Sequence, residues 1–320
     1  MPLPSFPSLC AAVLVALPLA AVHVQPQAVK PTPPQNPPAQ TPALAPPASL
    51  SEALELQVRV DRAGFSPGEI DGVHGANAER ALAAMKKAGK WVEQDGTEVL
   101  ITRVITPDDV AGPFTESIPA DLAEQATLPA LHYTSPLEAL AERYHSSPAL
   151  LQKLNPGARF AAGESIKVPN VTLRDLDKSA TPAASVTIVV SKSASSLTVL
   201  DEGGGMLFHA PVTSGSEHDP LPLGKWTVTA VSRNPTFHYN PDLFWDANPA
   251  HAKAKIPPGP NNPVGVVWID LSREHYGIHG TPEPGKVGHT QSHGCVRLTN
   301  WDAAYVASLV KKGTPILFER

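Results

Sequence analysis

The chain has 320 residues, with 36 prolines, 17% charged residues and a formal net charge of −5. This length allows two or three modules, and the proline content excludes one compact body throughout, so we expect modules strung along linkers. The modest charge favours neither nucleic acid nor an anionic membrane as a partner.

The chain begins with an apolar stretch. Residues 9–22 are too short to span a bilayer comfortably, and the small residues Ala20 and Ala21 suit signal cleavage, although no Lys or Arg precedes the stretch. We predict a signal peptide over residues 1–22 and export to the periplasm or cell wall, with an uncleaved anchor as the alternative. Cys10 leaves with the signal. The mature chain then keeps one thiol, which cannot form an internal disulfide and is expected to serve catalysis.

A Pro-rich linker over residues 23–50 precedes a helical module over residues 51–92. The linker composition is typical of an extended tether, and the module that follows has apolar residues at helical spacing in two stretches. The turn at residues 64–72 between them matches the Gly-x-x-x-Gly-x-Ile-Asp-Gly turn of the small helical peptidoglycan-binding module, which this region resembles. His74 replaces the usual Phe of that module. A purely structural helical hairpin is the alternative.

A connecting region over residues 93–132 contains one predicted strand at Val99–Ile105 and a short helix near Pro119–Gln125. Residues 133–170 then give the pattern helix, turn, helix, turn, strand. They resemble a LysM module, a small βααβ fold that binds polymers containing N-acetylglucosamine. The resemblance rests on Leu154-Asn155-Pro156 and on the Gly-Glu-Ser-Ile-Lys-Val-Pro strand that ends the region. A pair of spacer helices that binds no sugar is the alternative.

A linker over residues 171–184 leads to a mostly β region over residues 185–320. Its long loop, Asn234–Pro263, exceeds the usual length of a connection and predicts a lid that covers a substrate. Helical spacing predicts one helix at Trp301–Lys311. Apolar and β-branched runs predict strands at Val186–Val190, Leu197–Leu200, Leu207–Val212, Gly224–Ser232, Gly265–Leu271 and Ile316–Phe318.

Reactive side chains concentrate between Ile278 and Asn300. Cys295 follows a glycine, and Arg297 lies two residues later, so the thiol is placed where the backbone turns closely and where positive charge favours the thiolate. His279 is far enough upstream to come from a neighbouring strand. From there a neutral imidazole can take the thiol proton and return it to a leaving amine. The pattern predicts a thiol nucleophile with a histidine base.

Two other interpretations of this segment remain open. Four histidines near the cysteine suit a zinc site, as in a zinc hydrolase, but neither H-E-x-x-H nor C-x-x-C spacing is present. A buried, inert cysteine is the second alternative, because cysteine is often buried.

The motifs His279-Gly280-Thr281 and Ser292-His293-Gly294-Cys295 resemble those of the L,D-transpeptidases with a YkuD-type catalytic domain. The resemblance extends over residues 185–320. It implies that Cys295 is the acyl-accepting nucleophile, that His279 is its base and that the Gly280 carbonyl orients the imidazole. It also implies that the Gly294 and Cys295 amides, helped by His293, face the oxyanion. Substrate binding is assigned to Arg297, Ser292 and Thr281, with Arg297 holding a carboxylate or supporting the thiolate.

The resemblance implies a multi-domain chain, with a YkuD-type β-sandwich and a short helix behind small α-helical and LysM-like α+β modules. It implies that the thiol attacks the amide between the third and fourth residues of a peptidoglycan tetrapeptide stem, which releases D-alanine and leaves a thioester. An amine of another stem then gives a cross-link, a lipoprotein lysine gives anchoring, and water gives trimming. Neither a cofactor nor a metal is implied, and carbapenem-type inhibitors are expected.

A non-enzymatic protein that binds wall glycan is the competing hypothesis from another class. It would be indicated by the loss of a motif residue, and none is missing. Because the chemistry is placed after residue 184, deleting residues 25–170 is expected to weaken action on intact sacculi and to spare a small soluble tetrapeptide.

Overall fold

The computed structural model describes residues 50–91, 96, 98–172 and 185–320. The predicted signal peptide and residues 23–49 of the Pro-rich linker lie outside the described residues, as do residues 173–184 of the second linker. None of the described helices is both long and apolar enough to cross a membrane.

The described chain starts with two helices, α1 (Leu50–Arg62) and α2 (Ala76–Lys87), as the helical spacing predicted. The turn between them is anchored by Phe65 and Ile70, both of which are fully buried. Burying these two apolar side chains fixes the path of a turn that contains three glycines with positive φ, at Gly64, Gly68 and Gly72.

Two paired strands that enclose three short helices follow. Strand β1 (Leu100–Val104) pairs antiparallel with β2 (Ser165–Pro169), so the first strand comes from the predicted connecting region, at the strand predicted there. Between the two strands lie α3 (Leu122–Gln125), α4 (Pro136–Arg143) and α5 (Pro148–Leu154). The arrangement does not establish that the region is a LysM module or that it binds glycan, and both stay predictions.

Helices α4 and α5 begin in the same way. Each has a serine as its N-cap, Ser135 and Ser147, whose side chain accepts a backbone N–H from the first turn, and each has a proline in that turn. Serine caps and N-terminal prolines are typical helix starts, which explains why both helices were predictable from the sequence.

The remaining strands build a mixed nine-stranded sheet in the order β5-β4-β3-β13-β7-β10-β11-β12-β6. Their positions confirm the strands predicted from apolar runs to within a few residues. The strands of the sheet are β3 (Thr187–Ser191), β4 (Ser196–Leu200), β5 (Met206–Pro211), β6 (Thr213–Ser214), β7 (Gly224–Arg233), β10 (Val267–Leu271), β11 (Gly277–His279), β12 (Val296–Arg297) and β13 (Pro315–Glu319).

The sheet is nearly closed, which differs from the expected sandwich of two separate sheets. The long strand β7 pairs with β13 through its first half and with β10 through its second half, so it joins the two halves of the sheet. The outermost strands of the order, β5 and β6, are consecutive in the chain, with only Val212 between them. One extended segment therefore forms both edges and brings them together.

Helix α6 (Asn300–Leu309) packs into the core of this sheet. The helix is apolar on most sides, as expected for a buried helix, and Thr299 caps its start by accepting the Asp302 N–H. It covers the predicted helix except for its last two residues. Core side chains from the helix are Ala303, Ala304, Val306 and Ala307.

The N-terminal helices pack directly against the sheet region, with which they belong to one compact unit. Phe65 and His209 form an isolated bridge beside β5, with the Ser66 N–H donating to the His209 carbonyl at 2.7 Å. The Ser66 hydroxyl also donates to the buried carboxylate of Asp302 on α6, at 2.7 Å. In the described part of the chain, the N-terminal helices therefore contact the sheet region, and the predicted domain boundaries stay predictions.

Candidate active site

The predicted base lies on one of two adjacent parallel strands, and the predicted nucleophile directly precedes the other. In the β11–β12 pair, Ile278 lies opposite Val296 and His279 lies opposite Arg297. Ile278 and Val296 belong to the hydrophobic core. Because side chains alternate along a strand, His279 and Arg297 lie on the face of the sheet opposite that core, and Cys295 is the residue before β12.

His279 is held in one orientation from two sides. Its Nδ1 donates to the Gly280 carbonyl at 2.6 Å, because a carbonyl can only accept, and this leaves Nε2 with a free lone pair. Its ring stacks on Trp268, its partner across the β10–β11 pair, with ring centroids 5.3 Å apart and an interplanar angle of 19°. The side chain is nearly fully buried. The contact with the Gly280 carbonyl is thus present, and the role predicted for Gly280 in catalysis stays a prediction.

Burial keeps both reacting groups neutral. It lowers the pKa of His279 to about 3, and the nearby Arg297 charge acts in the same direction. Burial also raises the pKa of Cys295, while the Gly277 N–H and the Arg297 charge oppose that rise and the Asp219 charge adds to it. The sequence analysis expected Arg297 to favour the thiolate. Its charge acts in that sense, but desolvation outweighs it, so the resting pair is a thiol and a neutral imidazole.

The Cys295 thiol lies 3.8 Å from the His275 carbonyl, its nearest hydrogen-bond acceptor. In the part of the chain that the structure describes, no hydrogen bond joins the thiol to His279. Catalytic hydrogen bonds are often long without substrate and tighten when it binds. Proton transfer therefore requires Cys295 and His279 to come within hydrogen-bonding distance of each other.

Ser292 and Thr281 lie in the turns that frame the thiol. The Ser292 hydroxyl donates to the Cys295 carbonyl at 2.6 Å, and the Thr281 hydroxyl accepts the Glu283 N–H at 3.3 Å. Both residues are buried. These contacts give each hydroxyl a part in shaping its turn, and the predicted contacts with substrate stay predictions.

Gly294 occupies a conformation that favours glycine, with a φ of +99°. A Cβ at this position would lie 2.7 Å from the ring of Tyr276, closer than real contacts allow. A side chain would therefore move either Tyr276 or the turn that carries Cys295, so the backbone of the predicted oxyanion site depends on this glycine.

His293 contacts the long loop. Its Nε2 and Asp246 Oδ1 are 2.8 Å apart, and its ring packs edge-on against Phe244 with centroids 5.0 Å apart. Trp245 lies beside it, 61% exposed and stacked on His218. His293 thus ties the turn that carries Cys295 to the loop, and its predicted help to the oxyanion stays a prediction.

The loop itself is ordered around a small hairpin, β8 (Phe237–Tyr239) and β9 (Ala254–Ile256). Tyr239 and Ile256 share a hydrophobic cluster with Leu131, which belongs to the N-terminal half of the chain. The loop is therefore anchored to the N-terminal half through this cluster, while Asp246 of the same loop contacts His293. This geometry is compatible with the predicted lid.

Arg297 is available for an anion. No hydrogen bond or ion pair joins its guanidinium to another residue within the described ranges. The carboxylates of Glu283 and Asp246 act on its charge. A fork of N–H donors beside a partly buried thiol can bind a carboxylate in two-point fashion.

Two residues of the site were not singled out from the sequence. Trp268 was given no role, whereas its ring stacks on the predicted base. Asn300 was named only as the end of the reactive segment, whereas its side chain contacts Gly265 and Gly280. The alternation along β10, which turns Trp268 away from the core beside Val267 and Ile269, is the signal that would have found the first.

No three side chains among His, Cys, Asp and Glu lie together as metal ligands in the residues that the structure describes. Metal-independent chemistry remains a prediction.

Removing the Trp268 ring tests its contact with the base. Trp268→Leu is expected to lower kcat about tenfold or more, since a base displaced by a fraction of an ångström loses much of its effect, and to leave KM little changed. The matched control is Trp226→Leu, because Trp226 packs against the same core and donates to the Pro222 carbonyl without contacting His279. Steady-state kinetics of both variants decide the matter, and equal losses would contradict a role at His279.

Comparisons with known proteins agree on one family. The family model for the YkuD L,D-transpeptidase catalytic domain matches residues 185–317, which include both motifs. A Bacillus subtilis protein named Putative L,D-transpeptidase YkuD is 30% identical over 186 residues, which are 58% of this chain and 93% of that protein. An Escherichia coli protein named Probable L,D-transpeptidase YbiS is 28% identical over 189 residues, which are 58% of this chain and 60% of that protein.

A solved structure of an L,D-transpeptidase from Mycobacterium smegmatis is 21% identical in sequence. The match covers 50% of this chain and 65% of the solved chain, with a TM-score of 0.36.

Proposed function

The chain belongs to the YkuD L,D-transpeptidase family, and from this premise we propose that it is a cysteine-dependent acyltransferase acting on peptidoglycan stem peptides. The observation that supports the proposal most is the register of β11 and β12, in which His279 lies opposite Arg297 while Cys295 directly precedes β12. Nucleophile, base and cation are the three groups that such a transfer requires from the protein.

The donor half-reaction begins with proton transfer from the Cys295 thiol to His279 Nε2. The sulfur attacks the carbonyl carbon of the third residue of a tetrapeptide stem. The carbonyl oxygen becomes an oxyanion, which the N–H groups of Gly294 and Cys295 stabilise. When the intermediate collapses, the carbon–nitrogen bond breaks and His279 returns its proton to the leaving amine. D-alanine departs and a thioester with Cys295 remains.

A neutral resting pair supports this order of steps. Because the pKa of His279 is depressed to about 3, its imidazole is unprotonated at neutral pH and can accept the thiol proton. An imidazole this hard to charge also returns the proton readily to the leaving amine.

The acceptor half-reaction reverses the chemistry. His279 takes a proton from an acceptor amine, the amine nitrogen attacks the thioester carbon, and the Cys295 sulfur leaves and regains a proton. An amine on a neighbouring stem gives a cross-link, and a lipoprotein lysine attaches a protein to the wall. We favour amine acceptors, because the lid formed by residues 234–263 limits the access of water to the thioester. Trimming by water, an L,D-carboxypeptidase reaction, is the alternative.

Substrate recognition is assigned to Arg297 and to the N-terminal region. The guanidinium of Arg297 binds a carboxylate of the stem peptide. Glycan strands are a second partner, for which the residues bordering an open groove of about 380 Å³, including Asn155, Gly157 and Glu164, are candidates. These partners require export to the periplasm or cell wall.

The test is to incubate the purified mature protein with disaccharide tetrapeptide and to identify the products by mass spectrometry. Release of D-alanine together with a cross-linked dimer is expected. Adding a lysine-containing peptide in excess tests the protein-attachment reaction. Tripeptide without any dimer or peptide adduct would support the trimming alternative, and no release of D-alanine would contradict enzyme function and favour a glycan-binding protein.

Two controls accompany this assay. Chelator-treated protein is expected to keep its activity, and activity restored only by zinc would favour a zinc hydrolase. A carbapenem is expected to acylate Cys295, giving a mass adduct that the Cys295→Ala variant lacks.

A further inference from the structure

The side chain of Asn300 joins three parts of the molecule. Its Nδ2 donates to Glu142 Oε2 and to the Pro260 carbonyl, both at 3.0 Å, and its Oδ1 accepts the Val266 N–H at 3.2 Å. All the polar atoms of the amide are thus engaged, and the residue is 1% exposed. A side chain bonded in this way has one orientation.

This amide also lies against the residue that orients the base. A Cβ on Gly280 would be 2.2 Å from Asn300 Oδ1, and a Cβ on Gly265 would be 2.0 Å from the same atom. Both glycines are therefore packed directly on the amide. Since the Gly280 carbonyl accepts from His279 Nδ1, any displacement of Asn300 is transmitted to the imidazole through one residue.

Glu142 belongs to α4, in the N-terminal half of the chain, yet its carboxylate reaches this amide. Its other oxygen accepts the Tyr133 hydroxyl at 2.7 Å. Burial raises the pKa of Glu142 to about 7, although the hydrogen bonds from Tyr133 and Asn300 oppose the rise. The Glu138 charge adds to the rise, and the His145 charge opposes it. Burying a carboxyl group is unfavourable, so Glu142 depends on its two hydrogen-bond donors, Tyr133 and Asn300. The same hydrogen bonds fix the positions of these two side chains.

We propose that Glu142 is a positioning residue for the catalytic base, acting through Asn300 and Gly280. The N-terminal half of the chain then contributes to catalysis as well as to targeting. This inference rests on the proposed function, since it concerns the same thiol and imidazole, and it extends that function by assigning a role in the site to a helix outside the matched domain.

The test measures the reactivity of Cys295 without any peptidoglycan substrate. Iodoacetamide alkylates the thiolate, so the pH profile of its rate with the full mature protein reports proton transfer from Cys295 to His279, beside the effects of Arg297 and Asp219 on the thiol. Peptide mapping by mass spectrometry assigns the adduct to Cys295. The His279→Ala variant gives the reference pH profile for a protein that has lost the base.

Glu142→Ala is expected to move the profile toward that of His279→Ala and to slow alkylation at neutral pH by about tenfold. Glu142→Gln is expected to restore the profile, because a glutamine oxygen can accept from Asn300 while its amide donates to the Tyr133 hydroxyl. Tyr133→Phe, which removes one donor to Glu142, is expected to give an intermediate shift of the profile. It replaces Glu142→Ala as the test if that variant does not fold.

Ser66→Ala is the matched control. Ser66 also links the N-terminal half to α6, through Asp302, without contacting Asn300. A wild-type profile for Glu142→Ala and Tyr133→Phe, or equal shifts for Ser66→Ala and Glu142→Ala, would overturn the proposal. Because alkylation needs no substrate, a failure of the proposed transpeptidase reaction would leave this result unchanged, and the two failures are distinguishable.

Discussion

Replacing Cys295 with alanine is expected to abolish product formation from disaccharide tetrapeptide, with a loss of at least about 10⁴-fold in kcat. The variant should stay folded, because the thiol is partly exposed and has only weak polar contacts, with the His275 carbonyl and the Gly277 N–H. Mass spectrometry of products and thermal unfolding of the same preparation measure the two effects separately.

Serine at the same position is expected to be nearly as inactive. An alcohol is a much weaker acid than a thiol, and His279, whose pKa is lowered to about 3, is too weak a base to ionise it. Substantial turnover by Cys295→Ala would contradict the thioester mechanism. Turnover by Cys295→Ser above that of the alanine variant would show that the imidazole is a stronger base than its burial implies.

The sequence indicated the reactive residues of this site, but it did not indicate the residues that hold them in place. Cys295 and His279 could be found because reactive residue types at short spacing beside glycines are rare without a use. The strands were predictable because β3, β4 and β10 carry the alternating or continuous apolar residues that a half-buried or buried strand requires.

The residues around the predicted base could not be predicted from motifs and periodicity. Periodicity tells which face of a strand is apolar, and it does not tell which residue of another strand lies opposite. Trp268 stacks on His279 because of the register of the β10–β11 pair, which a short turn sets. Glu142 meets Asn300 across a separation of 158 residues, and no local pattern encodes that contact.

The contacts between the N-terminal half and the sheet region could not be predicted from the sequence either. Prolines and motif resemblances suggested independent modules, since each stretch has its own turn and helix signals. The docking contacts use single polar residues, such as Ser66 and Asp302, that look like surface residues in the sequence. Buried polar pairs between distant segments are common in folded proteins, and they become visible only in three dimensions.

A fragment beginning at Ser185 is expected to lose both stability and turnover of a small soluble tetrapeptide. This reverses the expectation from the sequence, which spared such a substrate. The fragment would expose Asn300 and Asp302, which are buried in the full chain, and would remove the donor and acceptor that Ser66 and Glu142 supply. Hydrogen bonds to charged groups contribute about 1.5–3 kcal/mol each, against a total stability of about 5–15 kcal/mol for a domain.

The same truncation removes the support of the lid. Leu131 pairs with the loop through two backbone hydrogen bonds, accepting the Asn261 N–H and donating to the Pro258 carbonyl, both at 3.0 Å. His251 on the loop lies 2.9 Å from Asp121. Without these contacts, residues 234–263 have fewer constraints on the conformation that brings Asp246 to His293. Turnover should therefore fall even where the fragment remains folded.

A chain that begins at Leu44 is the matched control, because it lacks the predicted signal and most of the Pro-rich linker yet keeps the whole compact unit. Thermal unfolding and kinetics on the soluble tetrapeptide should match the mature protein for this control and fall by about tenfold or more in kcat for the shorter fragment. Full stability and turnover of residues 185–320 alone would show that the N-terminal half only targets the enzyme to the wall, and would contradict the structural role inferred for it.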